Sequence, residues 1–151
     1  MLAIADNRGN IIAPMVARPV NVHDSKLFYE SFTNLVEIAD LLELEIKNSY
    51  LTLDSGFDNA ETKSEIIFRE LIPVIKHNPR NRGREKIHKM LEEFELVKHI
   101  YKERHNIERC FAWEDTYRKL AVRYEKRQDT FMGFRYLAYS MINFRWLFGK
   151  N

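Results

Sequence analysis

The chain has one cysteine, Cys110, so no intramolecular disulfide can form. That fits a reducing compartment, and the cytoplasm is the expected location. Met1 is followed by LAIADNRG, with neither a basic start nor a long apolar run, so no signal peptide is visible. The aromatic segment near the C-terminus is interrupted by Arg135 and Arg145. It falls short of the roughly 20 apolar residues that a membrane span needs. Glycine (5) and proline (4) are sparse, and no repeat, linker or low-complexity run interrupts the chain. Cys110 itself is read as a small helix residue rather than a nucleophile.

What is present suits a single globular domain or part of one: 151 residues, 45% hydrophobic and 30% charged. The formal net charge is only +2, but it is unevenly spread. Residues 1–75 carry 6 Lys/Arg against 12 Asp/Glu, a net of −6, and residues 76–151 carry 18 against 10, a net of +8. An acidic half joined to a basic half suits a polyanion-binding enzyme that holds metal near its carboxylates. Ordinary variation between solvated faces is the alternative.

Leu2–Ala5, the turn cluster Asp6-Asn7-Arg8-Gly9-Asn10 and Ile11–Ala17 read as a β-hairpin, with Asp6 a turn residue. Pro14 weakens the second strand or puts it at an edge. From Asp24, a capping acid, Leu27, Phe28, Phe32, Leu35, Val36 and Ile38 recur at helical spacing, and the helix is expected to end by Leu42 or Leu44. Adjacent His23 and Asp24 are weak evidence for metal ligands, and capping is preferred. Ser49–Leu53 is a short strand ending in Asp54-Ser55-Gly56-Phe57-Asp58. An acid at the C-terminal end of a strand lies where open α/β sheets keep their ligand sites. Asp54 is otherwise a turn cap, and Asp58 and Asn59 are read as caps. Ala60–Leu71 is an amphipathic helix with Ile66, Ile67 and Leu71 inward, and Ile72–Ile75 a strand, which implies a parallel pair. Lys76–Lys89, KHNPRNRGREKIHK, holds six Lys/Arg and one Glu and is expected to be an exposed loop making phosphate contacts, with Arg80, Arg82 and Arg84 in it.

Met90–Val122 is the long helical region, with a break near Lys98 or Trp113. Within it Tyr101, Arg104 and Glu108 share one helix face. Val97, Ile100, Ile107 and Phe111 form an apolar stripe suited to docking on a sheet. Phe111 and Trp113 are read as core or dimer contacts rather than base-stacking groups, and Arg109, Arg118, Lys119 and Arg123 as a basic flank. A last helix spans Phe131–Phe148, its aromatics and Met141 read as core. On the helix alone, Arg104 and Glu108 make a structural ion pair as readily as a site.

The run Tyr101-x-x-Arg104-x-x-x-Glu108, continuing as ERCFAW and RKLAVRYE, resembles the glutamate-helix signature of bacterial DDE transposases of insertion-sequence families four and five. Ahead of it, LDSGFDNAE resembles the family's second-aspartate motif, IPVIKHNPRNR its following strand and basic loop, and NVHD its Asn-x-His-Asp segment. The resemblance covers most of the chain, with the motifs in the family's order. It implies an α/β, RNase H-like mixed sheet flanked by helices. It also implies metal-dependent DNA cleavage at element ends and transfer of the freed 3′ hydroxyl to target DNA, in a dimeric complex with Mg²⁺ or Mn²⁺. On matching positions, Asp54 and Glu108 become catalytic metal carboxylates, and Tyr101 and Arg104 contact DNA backbone. The expected partners are element-end and target DNA and a second copy of the chain, with no membrane, and the expected location becomes the nucleoid.

Two departures qualify this. The family's first catalytic Asp, in an Asp-x-Thr motif, has no counterpart, and Asp6 in its turn is a poor substitute. The expectation is a partial domain over residues 1–151, without the first strand or the N-terminal DNA-binding segment, and weak or inactive alone. The Lys that usually follows Glu by seven residues is Asp115 here, with Lys119 one turn along as a compensating cation. The readings are therefore a transposase catalytic portion, a non-catalytic DNA-binding remnant, and an unrelated helical interaction module.

Overall fold

The computed structural model describes residues 1–18, 24–78, 84–122 and 124–149. Its elements are α1 (Asp24–Leu41), β1 (Tyr50–Leu53), a 3₁₀ turn (Ser55–Phe57), α2 (Ala60–Phe68), β2 (Ile72–Ile75), α3 (Arg84–Lys102), α4 (His105–Glu114), α5 (Arg118–Ala121) and α6 (Gln128–Phe148). The arrangement is mixed α/β. Its sheet, among the described residues, is the parallel pair β1–β2, in register Tyr50↔Ile72 through Leu53↔Ile75.

The N-terminal hairpin forms as the turn chemistry requires, but as isolated antiparallel bridges, Leu2↔Val16 and Ala5↔Ile11, rather than as a ladder that joins the sheet. The two arms of the hairpin present apolar side chains in two directions. Leu2, Ile4, Ile12 and Ala13 face a core of Phe28, Phe32, Leu35, Phe57, Ile66, Leu71 and Ile75. Ala3, Ala5, Ile11 and Met15 face a second core with Cys110, Ile107, Phe111, Tyr139 and Ile142. The hairpin is thus the layer between α1/α2 on one side and α4/α6 on the other.

Helix α1 buries Leu27, Phe28, Ser31, Phe32, Leu35 and Ala39, the i, i+4, i+8 face of its repeat. It ends at Leu41, just ahead of the expected stop. Asn59 caps α2, its side-chain oxygen accepting from Thr62 N at 2.8 Å. That helix ends early, at Phe68, because Glu70 turns left-handed (φ 61°) to bring the chain into β2. The expected inward trio is corrected accordingly: Ile66 and Leu71 are buried, but Ile67 is 61% exposed.

The long helical region breaks near Trp113 as expected, α4 ending at Glu114 and α5 starting at Arg118, but not near Lys98. A further break, not expected, falls at Glu103–Arg104, where Glu103 N, Arg104 N, Asn106 N and Ile107 N all bond three residues back instead of four, at 2.9–3.2 Å. A 3₁₀ stretch of this kind tightens and re-aims a helix. The apolar stripe therefore does not dock on the sheet as one unit. Helix α3 packs on β1 and β2, whereas Ile107 and Phe111 of α4 pack against the hairpin and α6.

The last helix also departs from its reading. Tyr139 and Ile142 are core, but Met141, Phe144, Trp146 and Phe148 are 41%, 63%, 42% and 69% exposed. Twenty-one residues of α6 present more apolar side chains than the hairpin and α4 can cover. No described helix is long and apolar enough to cross a membrane.

Candidate active site and nucleic-acid interface

Asp54 closes β1, and its backbone is extended there (φ −70°, ψ 160°). One carboxylate oxygen accepts from Ser55 N at 2.7 Å and so caps the 3₁₀ turn. The side chain is exposed, which leaves its second oxygen accessible. Capping and a site role are compatible at this position.

Glu108 projects from the first turn of α4, where acidic side chains favour the helix N-terminus. One of its oxygens lies 3.6 Å from Arg104 Nη2 and the other 3.2 Å from His105 Nδ1. The Arg104 guanidinium lies over the Tyr101 ring, 5.6 Å from its centroid, although the helix break falls between Tyr101 and Glu108. Tyr101 packs edge-on to Phe94 at 5.1 Å, and Phe94 in turn edge-on to His77 at 6.3 Å. The tyrosine is anchored to α3 and to the chain leaving β2, with Arg104 held against it.

The Tyr101 phenol relates the two acids. Burial pushes its pKa above the ordinary value, the Arg104 charge opposes that, and the Asp54 and Glu108 carboxylates both add to it. Asp54 after β1 and Glu108 on α4 thus both lie within electrostatic reach of one phenol on α3. Their oxygens are the hard donors that Mg²⁺ or Mn²⁺ prefers. Among the described residues, however, no group of three or more His, Cys, Asp or Glu side chains is placed to hold a metal. The two carboxylates suit such an ion in donor type and do not complete a coordination shell.

The other expected contacts fall differently. Arg80 and Arg82 lie outside the described residues, as does His23. Arg84 opens α3 and Lys119 lies on α5, and the side chains of both are outside the description. The stretch expected to be a loop as far as Lys89 is already helical from Arg84. Asp115 is exposed at the C-terminal end of α4. Asp6 is a turn residue: it accepts from Arg8 N at 2.9 Å, Asn10 N at 2.8 Å and Asn10 Nδ2 at 2.9 Å.

Two groups escaped the sequence reading. Asp58, expected to cap, has a fully buried side chain, 2.5 Å from Lys63 Nζ, with Asn78 N donating to it at 2.8 Å. It ties the 3₁₀ turn to the chain beyond β2. Glu114 is buried between Arg135 and Tyr139, both of which donate to it. Neither residue carries a sequence signal apart from its acid, since the partners are distant or on another element.

A family model described as Transposase DDE domain matches residues 1–141. The chain belongs to the DDE transposase family. No curated protein and no solved structure matches it. The match runs from the hairpin through most of α6 and so takes in Asp54, Tyr101, Arg104 and Glu108 together.

Proposed function

We propose that this chain is the catalytic part of a DDE transposase, cutting DNA at element ends and joining the freed 3′ end to target DNA. The observation that carries the reading is the family match over residues 1–141, which takes in Asp54, Tyr101, Arg104 and Glu108. In this reading the two acids are metal carboxylates, Arg104 holds a phosphate by a forked contact that Lys would not reproduce, and Tyr101 orients the backbone. Arg80, Arg82, Arg84 and Lys119 add phosphate contacts. A bound divalent cation would neutralise charge on the phosphoryl oxygens and make a bound water acidic. Cleavage forms a bond from water oxygen to phosphorus and breaks the bond from phosphorus to the 3′ oxygen, which leaves with a proton.

The domain is read as part of an RNase H-like fold over residues 1–151. Support comes from β1, whose edge away from β2 has no strand partner among the described residues. A parallel pair alone is a poor sheet, and a further strand bearing the missing acid would pair there. A two-copy complex and a place among cytoplasmic, nucleoid DNA belong to the same proposal.

A second reading, a DNA-binding remnant without chemistry, is favoured by the absence of a three-ligand metal group among the described residues. A nicking assay on supercoiled DNA with Mg²⁺ separates the two. Nicking that disappears in Glu108→Ala supports catalysis; salt-sensitive binding with no nicking supports the remnant. The nucleotide sequence ahead of the Met1 codon provides a further check, because an Asp-x-Thr segment there, in frame or shifted, would supply the first acid.

A further inference from the structure

We infer that the hairpin tip carries a second DNA-contacting surface, made by Arg8, Arg109 and the indole of Trp146, which takes an unpaired single strand. It rests on the DNA-acting reading for the choice of polyanion and uses none of that site's residues. The Arg8 carbonyl is the meeting point: Arg109 Nη2 of α4 donates to it at 3.2 Å and Trp146 Nε1 of α6 at 3.0 Å. Gly9 makes the approach possible. Its φ is +90°, and a Cβ there would lie 3.2 Å from Asn106 O and 3.3 Å from Cys110 Sγ.

The side chains left at the surface are suited to a nucleic-acid strand. Arg18, Arg69, Arg104, Arg127 and Arg135 each pair with a carboxylate. Arg8 and Arg109 are exposed and have no such partner among the described residues. The nearby acid, Asp6, spends its oxygens on the N–H groups of its own turn. The Arg109 guanidinium lies over the half-buried Trp113 ring, 5.2 Å from its centroid, which holds it flat. Trp146 is 42% exposed and its one polar atom is already bonded, so what remains is an aromatic face of fixed orientation. Guanidinium groups bind phosphate oxygens in a fork, and a free indole face stacks on a base. Bases within a duplex are already stacked, so the indole selects an unpaired strand. Arg109 directly follows Glu108 on α4, about 100° round the helix, so a strand held here passes the candidate active site.

The chain has two tryptophans, Trp113 and Trp146, so fluorescence reads the contact directly. The full chain is titrated at low salt with a short oligothymidylate and with a duplex of equal length. The single strand is expected to quench emission more than the duplex. In Trp146→Phe the quench disappears and binding weakens about tenfold, while Trp113→Phe keeps both. Arg8→Gln, whose folded contacts are through the backbone, weakens binding and lowers the salt slope by about 0.7. Quenching that persists in Trp146→Phe, equal quenching by duplex, or no effect of Arg8→Gln overturns the inference. Glu108→Ala should quench like the parent, so loss of nicking with retained quenching leaves this surface standing independently of the catalytic reading.

Discussion

Glu114 and Arg135, 21 residues apart, form an ion pair whose side chains are 7% and 13% exposed. The pair fastens α4 to α6, and Tyr139 adds a second donor to the same carboxylate oxygen. Removing one partner strands the other charge in the interior. Glu114→Ala is expected to cost about 3–5 kcal/mol, a fall in melting temperature of roughly 6–20 °C for a chain of this size. Calorimetry checks it. A change below about 1 kcal/mol would mean that solvent reaches the guanidinium.

Cys110 makes a complementary prediction about pH. Burial pushes its thiol up to about 11, with Asp6 adding and Arg109 opposing. Its Sγ donates to the Gly9 carbonyl, so the protonated form is the one the fold uses. The folded pKa lies above the unfolded one, so the native state holds the proton more tightly at high pH. The stability from this group is complete below about 9 and is lost as pH rises toward about 11. Cys110→Ala should flatten that alkaline decline in a pH series of melting curves. At pH 7 the native thiol should react with an alkylating reagent far more slowly than the denatured one.

Gly9→Ala tests the seat of the hairpin. The left-handed backbone there costs an L-residue about 1–2 kcal/mol before the contact with Asn106 O is counted. The expected result is a loss of at least that size in denaturant unfolding, with faster amide exchange at Ile12 and Val16. A substitution made to Gly56 instead, where a Cβ meets nothing within 4 Å, should be nearly silent.

Arg104→Lys keeps the charge but not the planar stack on Tyr101. If Arg104 holds a phosphate as proposed, losing the cation–π term and the fork should lower DNA affinity about three- to tenfold. Because one cation replaces another, the salt slope should stay the same. Filter binding at several salt concentrations distinguishes this from simple loss of charge.

The elements with strong periodicity were legible in the sequence. The α1 face, the β1–α2–β2 unit and the Asp6 turn each follow from spacing, caps or Asx chemistry acting within a few residues. Tyr101, Arg104 and Glu108 were expected on one face of a single helix; Tyr101 lies on α3 and Glu108 on α4, and Arg104 between them touches both. The break at Glu103–Arg104 was not legible, because no proline or glycine marks it. Asn106 is engaged by the Asn7 carbonyl at 2.6 Å, a partner 99 residues away. The exposure of Met141 and Phe144 was misjudged for a related reason. Apolar spacing shows that a helix has a sticky face, not how much neighbouring surface exists to cover it. Asp58 and Glu114 were hidden because a buried charge is defined by its partners, and those lie on other elements.

The hairpin has a temporal consequence as well. Its tip and second strand are held by side chains from residues 106, 109, 110, 136, 143 and 146, across separations of 99 to 138 residues. During synthesis the hairpin leaves the ribosome well before α4 and α6, which carry these hydrogen-bond donors. One of the hairpin's two apolar faces has no permanent cover until α6 has emerged, so the hairpin settles only after the helices made long after it.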